Sequence, residues 1–123
     1  MTMNPQKSPI ILIVDDNPEN LDMLFQYFEH SEFKTLAAQD GHAALQQVKH
    51  TRPDLILLDV LMPGIDGFET CRRLKNNQST RDIPVIFLTA LSETDEKMQG
   101  FEVGGVDYIT KPISVPIVQA RVK

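Results

Sequence analysis

Five polar side chains stand where apolar runs of the sequence end, and their types suit chemistry between a carboxylate, a metal ion and a phosphoryl group. Three are carboxylates, one is a hydroxyl and one is an ammonium group. If the apolar runs are parallel strands of one sheet, their carboxyl ends meet at one edge, so we expect these groups to lie together. They are Asp15, Asp16, Asp59, Thr89 and Lys111.

Three carboxylates at one edge would repel one another. Two unit charges about 4 Å apart repel by roughly 4 kcal/mol at an effective dielectric constant of about 20. A hard divalent cation would offset this repulsion, and Mg²⁺ binds carboxylates while keeping several waters. Asp59 could then be the nucleophile that forms an acyl phosphate, while Lys111 and Thr89 hold the other phosphoryl oxygens.

Each of these residues alone also has a purely structural interpretation. Asp15 and Asp16 can be turn or cap residues, and for that pair alone we favour the structural interpretation. Asp59 can be a turn residue, Thr89 is a common strand residue, and Lys111 can be a solvated charge. The functional hypothesis depends on these residues occurring together, because four of the five predicted strands end in one of these groups.

The apolar runs predict an α/β fold built on a parallel sheet. Residues 55–58 form an unbroken apolar run between Pro53 and Pro63-Gly64, which is typical of a strand buried on both faces. Such runs alternate with helical patterns, which favours helices on both sides of the sheet. The predicted strands are residues 10–14, 33–38, 55–58, 84–88 and 106–110.

The first three helices have clear start signals. Asn17 before Pro18, Asp40 and Asp66 each suit an N-cap position. Glu69 stands three residues after Asp66, which resembles a capping box.

The last two predicted helices are weaker. Residues 92–103 have a thin apolar face and an interior Gly100, which costs about 1 kcal/mol relative to alanine, so we expect this helix to be labile. The last helix begins at Ser114 and its apolar face still continues at Lys123. We therefore expect the last helix to be truncated there and the protein to continue.

Composition limits the class of protein. The chain has 123 residues, 41% of them hydrophobic, and a net charge of −5, which fits one acidic domain and argues against non-specific binding of nucleic acid. The single cysteine, Cys71, excludes an internal disulfide, and no apolar stretch is long enough to span a membrane. We expect a soluble, cytoplasmic domain over residues 10–123 after a flexible tail, residues 1–9.

The strand-end residues resemble a known family. Asp15-Asp16, Asp59 followed by Met62-Pro63-Gly64 and Asp66-Gly67, Thr89-Ala90 and Lys111-Pro112 look like the response-regulator receiver domain of two-component signalling, in the CheY-like superfamily. The resemblance covers residues 10–123. It implies a flavodoxin-like (βα)5 three-layer sandwich with the strand order 2-1-3-4-5.

The resemblance also implies roles for individual residues. Asp59 would be the phosphoacceptor, and Mg²⁺ would bind Asp15, Asp16, Asp59 and the backbone carbonyl of Leu61. Lys111 would contact the phosphoryl group, and the switch pair would be Thr89 and Tyr108. The implied partners are a sensor histidine kinase or phosphotransfer protein, an output domain, and a second copy through helix 4, strand 5 and helix 5. Direct contact with nucleic acid or a membrane is not expected.

Two other functions compete with the signalling switch. One is a Mg²⁺-dependent phosphohydrolase with an aspartyl-phosphate intermediate, but the second residue after Asp59 is Leu61, where haloacid-dehalogenase-like enzymes need an acidic residue. The other is a flavodoxin-like cofactor binder, which would need a phosphate-binding loop where Asp15 and Asp16 stand. We expect a signalling domain that promotes its own phosphorylation and dephosphorylation rather than a true enzyme.

The remaining candidate residues have structural interpretations. His30, His42 and His50 share no metal-ligand spacing and are expected on helix surfaces or ends. Cys71 is expected to pack in the core. The basic residues Arg72, Arg73 and Lys75 are expected on a solvated helix face.

Overall fold

The protein is described here from a computed structural model. It describes residues 8–89, 101–105 and 107–110. These ranges contain five strands and three helices. Strands and helices alternate along the chain from the first strand to the fourth, and the fifth strand follows. They are β1 (Ile10–Val14), α1 (Pro18–Phe28), β2 (Lys34–Ala38), α2 (Gly41–His50), β3 (Leu55–Asp59), α3 (Gly67–Lys75), β4 (Val85–Thr89) and β5 (Asp107–Thr110).

The five strands form one parallel sheet in the order β2-β1-β3-β4-β5, as the family resemblance implied. The register aligns the carboxyl ends of neighbouring strands. Val14 pairs with Leu58, Asp59 pairs with Leu88, and Thr89 pairs with Thr110. The polar residues at the ends of β1, β3 and β4 therefore meet at one edge of the sheet.

Two hydrophobic clusters cover the two faces of the sheet, which explains why the strands are continuously apolar. Alternate residues of β1 and β3, such as Leu12 and Leu58, face a cluster that contains residues of α2 and α3. The intervening residues, such as Ile13 and Leu57, face a cluster that contains residues of α1. Because both faces of β1 and β3 are buried, these two strands hold the residues at their ends in fixed positions.

The three predicted N-caps are confirmed. The side chain of Asn17 accepts a hydrogen bond from the N–H of Glu19 at 2.8 Å. Asp40 and Asp66 do the same at the starts of α2 and α3, each at 2.8 Å. A cap of this kind contributes about 1 kcal/mol to stability, so each helix start is specified locally by its sequence.

The capping box predicted at the start of α3 forms only in part. Asp66 caps the helix, but the carboxylate of Glu69 turns toward the arginines of the next turn. It accepts hydrogen bonds from Arg72 and Arg73, at 2.9 Å and 2.8 Å from their Nε atoms. These ion pairs lower the pKa of Glu69, chiefly through the hydrogen bond from Arg72.

The prediction that Lys75 lies on a solvated helix face is wrong. Its side chain is half-buried, and Nζ donates hydrogen bonds to the carbonyls of Arg81 and Ile83 at 3.0 Å and 2.6 Å. Lys75 therefore ties the end of α3 to the segment that enters β4. Arg72 and Arg73 are exposed, as expected, although both pair with Glu69.

The strand boundaries differ from prediction by a single residue at β2, β3 and β4. Most of the predicted tail, most of the predicted fourth helix and all of the last helix lie outside the described residues. Over the residues that are described, no helix is long and apolar enough to cross a membrane.

Candidate functional site

The three carboxylates predicted to converge do so. Asp15, Asp16 and Asp59 each present an oxygen, and these oxygens all lie within 4.8 Å of one another. Asp15 is fully buried and Asp59 is 3% exposed, whereas Asp16 is exposed to solvent. The arrangement is a small acidic pocket that is closed on the sheet side and open at Asp16.

Asp15 is held in place by donors from the start of α1. Its Oδ1 accepts the backbone N–H of Asn17 at 2.9 Å, and its Oδ2 accepts the side-chain amide of Asn20 at 3.1 Å. The N–H of Asp15 donates to Ala38 at 3.1 Å, which extends the β1–β2 pairing by one residue. Asp15 was predicted as a site residue and Asn17 only as a helix cap, whereas Asn20 was not predicted to be part of the site. The sequence does place Asn20 in the first turn of α1, where a side chain can face the end of β1.

Asp59 is the last residue of β3, a strand in which every residue is buried. The chain then pairs once more with β4, because the N–H of Val60 donates to Leu88 at 3.0 Å. After a short loop, the N–H of Gly67 donates back to the carbonyl of Val60 at 2.7 Å. The backbone around Asp59 is therefore fixed on both sides, by β4 and by the first residue of α3.

The geometry and chemistry of the three carboxylates fit Mg²⁺. In an octahedral Mg²⁺ shell neighbouring oxygens are about 3 Å apart and opposite ones about 4.2 Å, so the three oxygens within 4.8 Å of one another would have to move closer to share one ion. The donors are all oxygens, as a hard cation requires. The cation would also offset the repulsion among the three carboxylates.

Thr89 ends β4 beside this acidic pocket and is 2% exposed. Tyr108 lies on β5 opposite Phe87, and their ring centroids are 5.5 Å apart. The Tyr108 ring also meets Phe101 edge to face at 5.3 Å, and Phe101 is 52% exposed. The two predicted switch residues therefore lie on adjacent strands, and the tyrosine connects the core to an exposed aromatic residue.

The two remaining residues of the predicted phosphorylation site are Leu61 and Lys111. Leu61 follows Asp59 by two positions and its side chain is 60% exposed. Lys111 lies outside the described residues, as does all of the last predicted helix of the dimer surface.

The histidines and the cysteine that were predicted to be structural are where they were expected. The three histidines are exposed. Cys71 is fully buried, its thiol donates to the carbonyl of Val103 at 3.3 Å, and burial raises the pKa of that thiol to about 11. The thiol is therefore protonated at neutral pH and packs in the core, as predicted.

Comparison with known proteins agrees with this geometry. The response regulator receiver domain profile matches residues 11–123. The phosphate regulon transcriptional regulatory protein PhoB of Pseudomonas aeruginosa is 46% identical over 113 residues, which is 92% of this chain and 49% of PhoB. This chain spans between about a quarter and a half of the length of the curated relatives that it matches.

Solved structures share the fold over nearly the whole chain. The signal receiver domain of a signal transduction histidine kinase from Syntrophus aciditrophicus has a TM-score of 0.84 and 39% identity, covering 93% of this chain and 86% of that one. The receiver domain of a sensor histidine kinase from Pseudomonas aeruginosa has a TM-score of 0.85 and 27% identity, covering 94% and 95%, and carries a magnesium ion in its active-site cleft. Sheet order, acidic pocket and family match agree: the chain belongs to the response regulator receiver domain family of two-component signalling.

Proposed function

We propose that Asp59 accepts a phosphoryl group from the phosphohistidine of a sensor histidine kinase or a phosphotransfer protein. The observation that carries the proposal is the buried Asp59 carboxylate at the end of the central strand, within 4.8 Å of two other carboxylates. Asp59 is the last residue of that strand, and the resemblance to the family implies that it is the phosphoacceptor. Asp59 is therefore proposed as the nucleophile.

The transfer is a displacement at phosphorus. A carboxylate oxygen of Asp59 attacks in line, the phosphorus–nitrogen bond breaks, and the leaving imidazole keeps the electron pair and takes up a proton. The product is an acyl phosphate on Asp59. The Thr89 hydroxyl and the Lys111 ammonium are proposed to bind the other phosphoryl oxygens, although Lys111 lies outside the described residues.

Asp15, Asp16, Asp59 and the backbone carbonyl of Leu61 are proposed to hold Mg²⁺. The bound ion would neutralise charge on the phosphoryl oxygens during transfer. Asp15, oriented by Asn17 and Asn20, supplies a fixed ligand that does not need to reorganise when the ion binds. The exposed Asp16 leaves a path by which the ion and its waters can enter.

The phosphorylated state is proposed to act through Thr89 and Tyr108. New oxygens on Asp59 would attract the buried Thr89 hydroxyl and open space toward β5. The Tyr108 ring, which already contacts Phe87 and Phe101, could then change its packing. A two-state surface formed by helix 4, β5 and helix 5 would carry the signal.

The partners beyond the phosphodonor are proposals as well. The signal would pass to an output domain in a longer protein, or to a second copy through helix 4, strand 5 and helix 5. PhoB is named as a transcriptional regulator, whereas the two structural relatives are domains of histidine kinases, so the family alone does not specify an output. The acidic domain itself, with a net charge of −5, is not proposed to bind nucleic acid or membranes, and it is proposed to act in the cytoplasm together with its phosphodonor.

The competing phosphohydrolase function is disfavoured. The family match covers residues 11–123, and the position two residues after Asp59 is the apolar Leu61, which cannot act as an acid or a base. Incubation with acetyl phosphate and Mg²⁺, followed by intact-mass measurement, distinguishes the two functions. A signalling domain gains one lasting phosphoryl group and leaves phosphate monoesters intact, whereas steady turnover of a monoester would contradict the proposal.

A further inference from the structure

A groove between α2 and α3 is lined by none of the residues of the acidic pocket. Its volume is about 320 Å³, which lies within the range of pockets that hold a small ligand or a large side chain. The floor is apolar, formed by Leu45, Val48 and the buried Leu74. Such a floor favours an apolar group of a partner over a bare inorganic ion.

The wall of the groove after α3 is fixed by hydrogen bonds. The Thr80 hydroxyl donates to the carbonyl of Leu74 at 2.6 Å, and the side chain of Asn77 accepts the N–H of Ser79 at 2.9 Å. Arg52 reaches across from the end of α2 and donates to the carbonyl of Ser79 at 3.2 Å. The groove is therefore preformed, so a ligand would not have to order it.

The charge of the groove is opposite to that of the whole chain. The chain has 17 acidic and 12 basic residues, yet the ionisable residues that line the groove are Lys49, Arg73 and His42. Lys49 makes no ion pair or hydrogen bond with another described residue. Arg73 uses only Nε to bind Glu69, so its two terminal nitrogens have no partner among the described residues. Basic residues in the last turn of a helix are stabilised by the negative end of the helix dipole. That effect does not explain why basic residues lie on both sides of one apolar floor.

We propose that this groove binds an acidic segment of a partner protein, with one large apolar side chain on the floor and carboxylates on either side. The carboxylates would pair with Lys49 on α2 and with the terminal nitrogens of Arg73 on α3. The arrangement favours acidic partners and selects against basic ones. It would give the domain a binding face that is separate from the phosphorylation site.

The test is an NMR titration of the ¹⁵N-labelled chain with the peptide acetyl-Glu-Asp-Leu-Asp-Glu-amide. We expect backbone amide shifts concentrated in residues 45–49 and 73–80, and weaker shifts as salt screens the ion pairs. The Lys49→Gln/Arg73→Gln variant should raise the dissociation constant about tenfold, since two partly exposed ion pairs are lost. A peptide with Gln and Asn in place of the acidic residues, or with Ser in place of Leu, should bind more weakly.

The matched control is Lys34→Gln/Arg72→Gln. It removes the same charge, and Arg72 shares Glu69 with Arg73 but does not line the groove. This variant should bind the peptide like the parent. Absence of shifts in the groove, equal weakening by both double variants, or the same shifts with succinate alone would overturn the proposal, the last by indicating a small-anion site.

Discussion

The backbone of Gly67, the first residue of α3, lies directly against the carbonyl group of Asp59. A Cβ atom added at Gly67 would overlap the Asp59 carbonyl oxygen and lie 2.8 Å from the Cα of Val60. Because the obstacle is backbone, it cannot be relieved by rotating a side chain. Because of this close approach, the start of α3 packs directly against the end of β3, which bears the proposed acceptor Asp59.

Gly67→Ala should therefore disturb both stability and the site. Overpacking of this kind costs about 1–3 kcal/mol, and relief would have to move the backbone of Asp59. We expect a lower melting temperature and a weaker stabilisation by Mg²⁺, both measured by thermal denaturation with and without the ion.

Gly64→Ala is the matched control for that variant. Gly64 has a φ of 80°, so alanine there costs about 1–2 kcal/mol of backbone strain. Its added Cβ would have free space, with the nearest atom in His42 at 3.8 Å. The control should lose stability but keep the full Mg²⁺ effect. Equal Mg²⁺ effects in both variants would show that Gly67 does not position the site.

Magnesium should stabilise the folded chain through the three carboxylates. A ligand present at 100 times its dissociation constant adds about 2.7 kcal/mol to the free energy of unfolding. Asp16→Ala should remove most of this shift, while its metal-free form should be more stable than the metal-free parent because one repelling charge is gone. Asp22→Ala removes an exposed carboxylate of α1 outside the cluster and should leave the shift unchanged. A Mg²⁺ shift of the parent's size in Asp16→Ala would place the ion elsewhere.

The Thr89 hydroxyl should be needed for the signal but not for phosphorylation. Thr89→Ala should accept a phosphoryl group, yet hydrogen exchange in residues 101–105 and 107–110 should no longer respond to it. Thr89→Ser keeps the hydroxyl and should keep the response. If the alanine variant responds like the parent, the proposed link from Thr89 to Tyr108 is wrong.

The phosphorylated state should be long-lived for a receiver domain. Hydrolysis needs a water in line with the phosphoryl group. The resemblance to the family implies that this water would be oriented by the side chains at Leu61 and Leu91, of which Leu91 lies outside the described residues. Both are apolar and cannot hydrogen-bond a water. A positioned polar group contributes about 10²-fold or more to such a step, so Leu61→Asn with Leu91→Glu should speed loss of the phosphoryl group.

The measurement is the decay of phosphorylated protein after removal of the donor at constant Mg²⁺. Leu61→Met with Leu91→Met keeps both positions apolar and should decay like the parent. A polar double variant that decays no faster than the apolar one would show that these positions do not control the water.

The parts of the fold that were predictable from sequence are those that depend on local pattern. The continuous apolar residues of β1 and β3 indicate strands buried on both faces, and the caps at Asn17, Asp40 and Asp66 act within their own helix turns. Once the strands are parallel, the meeting of Asp15 with Asp59 follows from topology alone.

The features that sequence reasoning missed depend on contacts between distant elements. Lys75 has the composition of a surface residue, but the path of the chain through Arg81 and Ile83 brings two carbonyls within its reach. Glu69 fits a capping box, but two arginines one turn away offer stronger, charge-assisted hydrogen bonds. Neither outcome can be derived from spacing, because each depends on how competing partners are arranged in space.

Phosphorylation of Asp59 is tested most directly by locating the phosphoryl group on the chain. After incubation with acetyl phosphate and Mg²⁺, borohydride reduction converts an aspartyl phosphate to homoserine, which peptide mass spectrometry can locate. We expect homoserine at position 59 of the parent and none in the Asp59→Asn variant. Modification at Asp15 or Asp16 in the parent, or equal labelling of the Asp59→Asn variant, would contradict it.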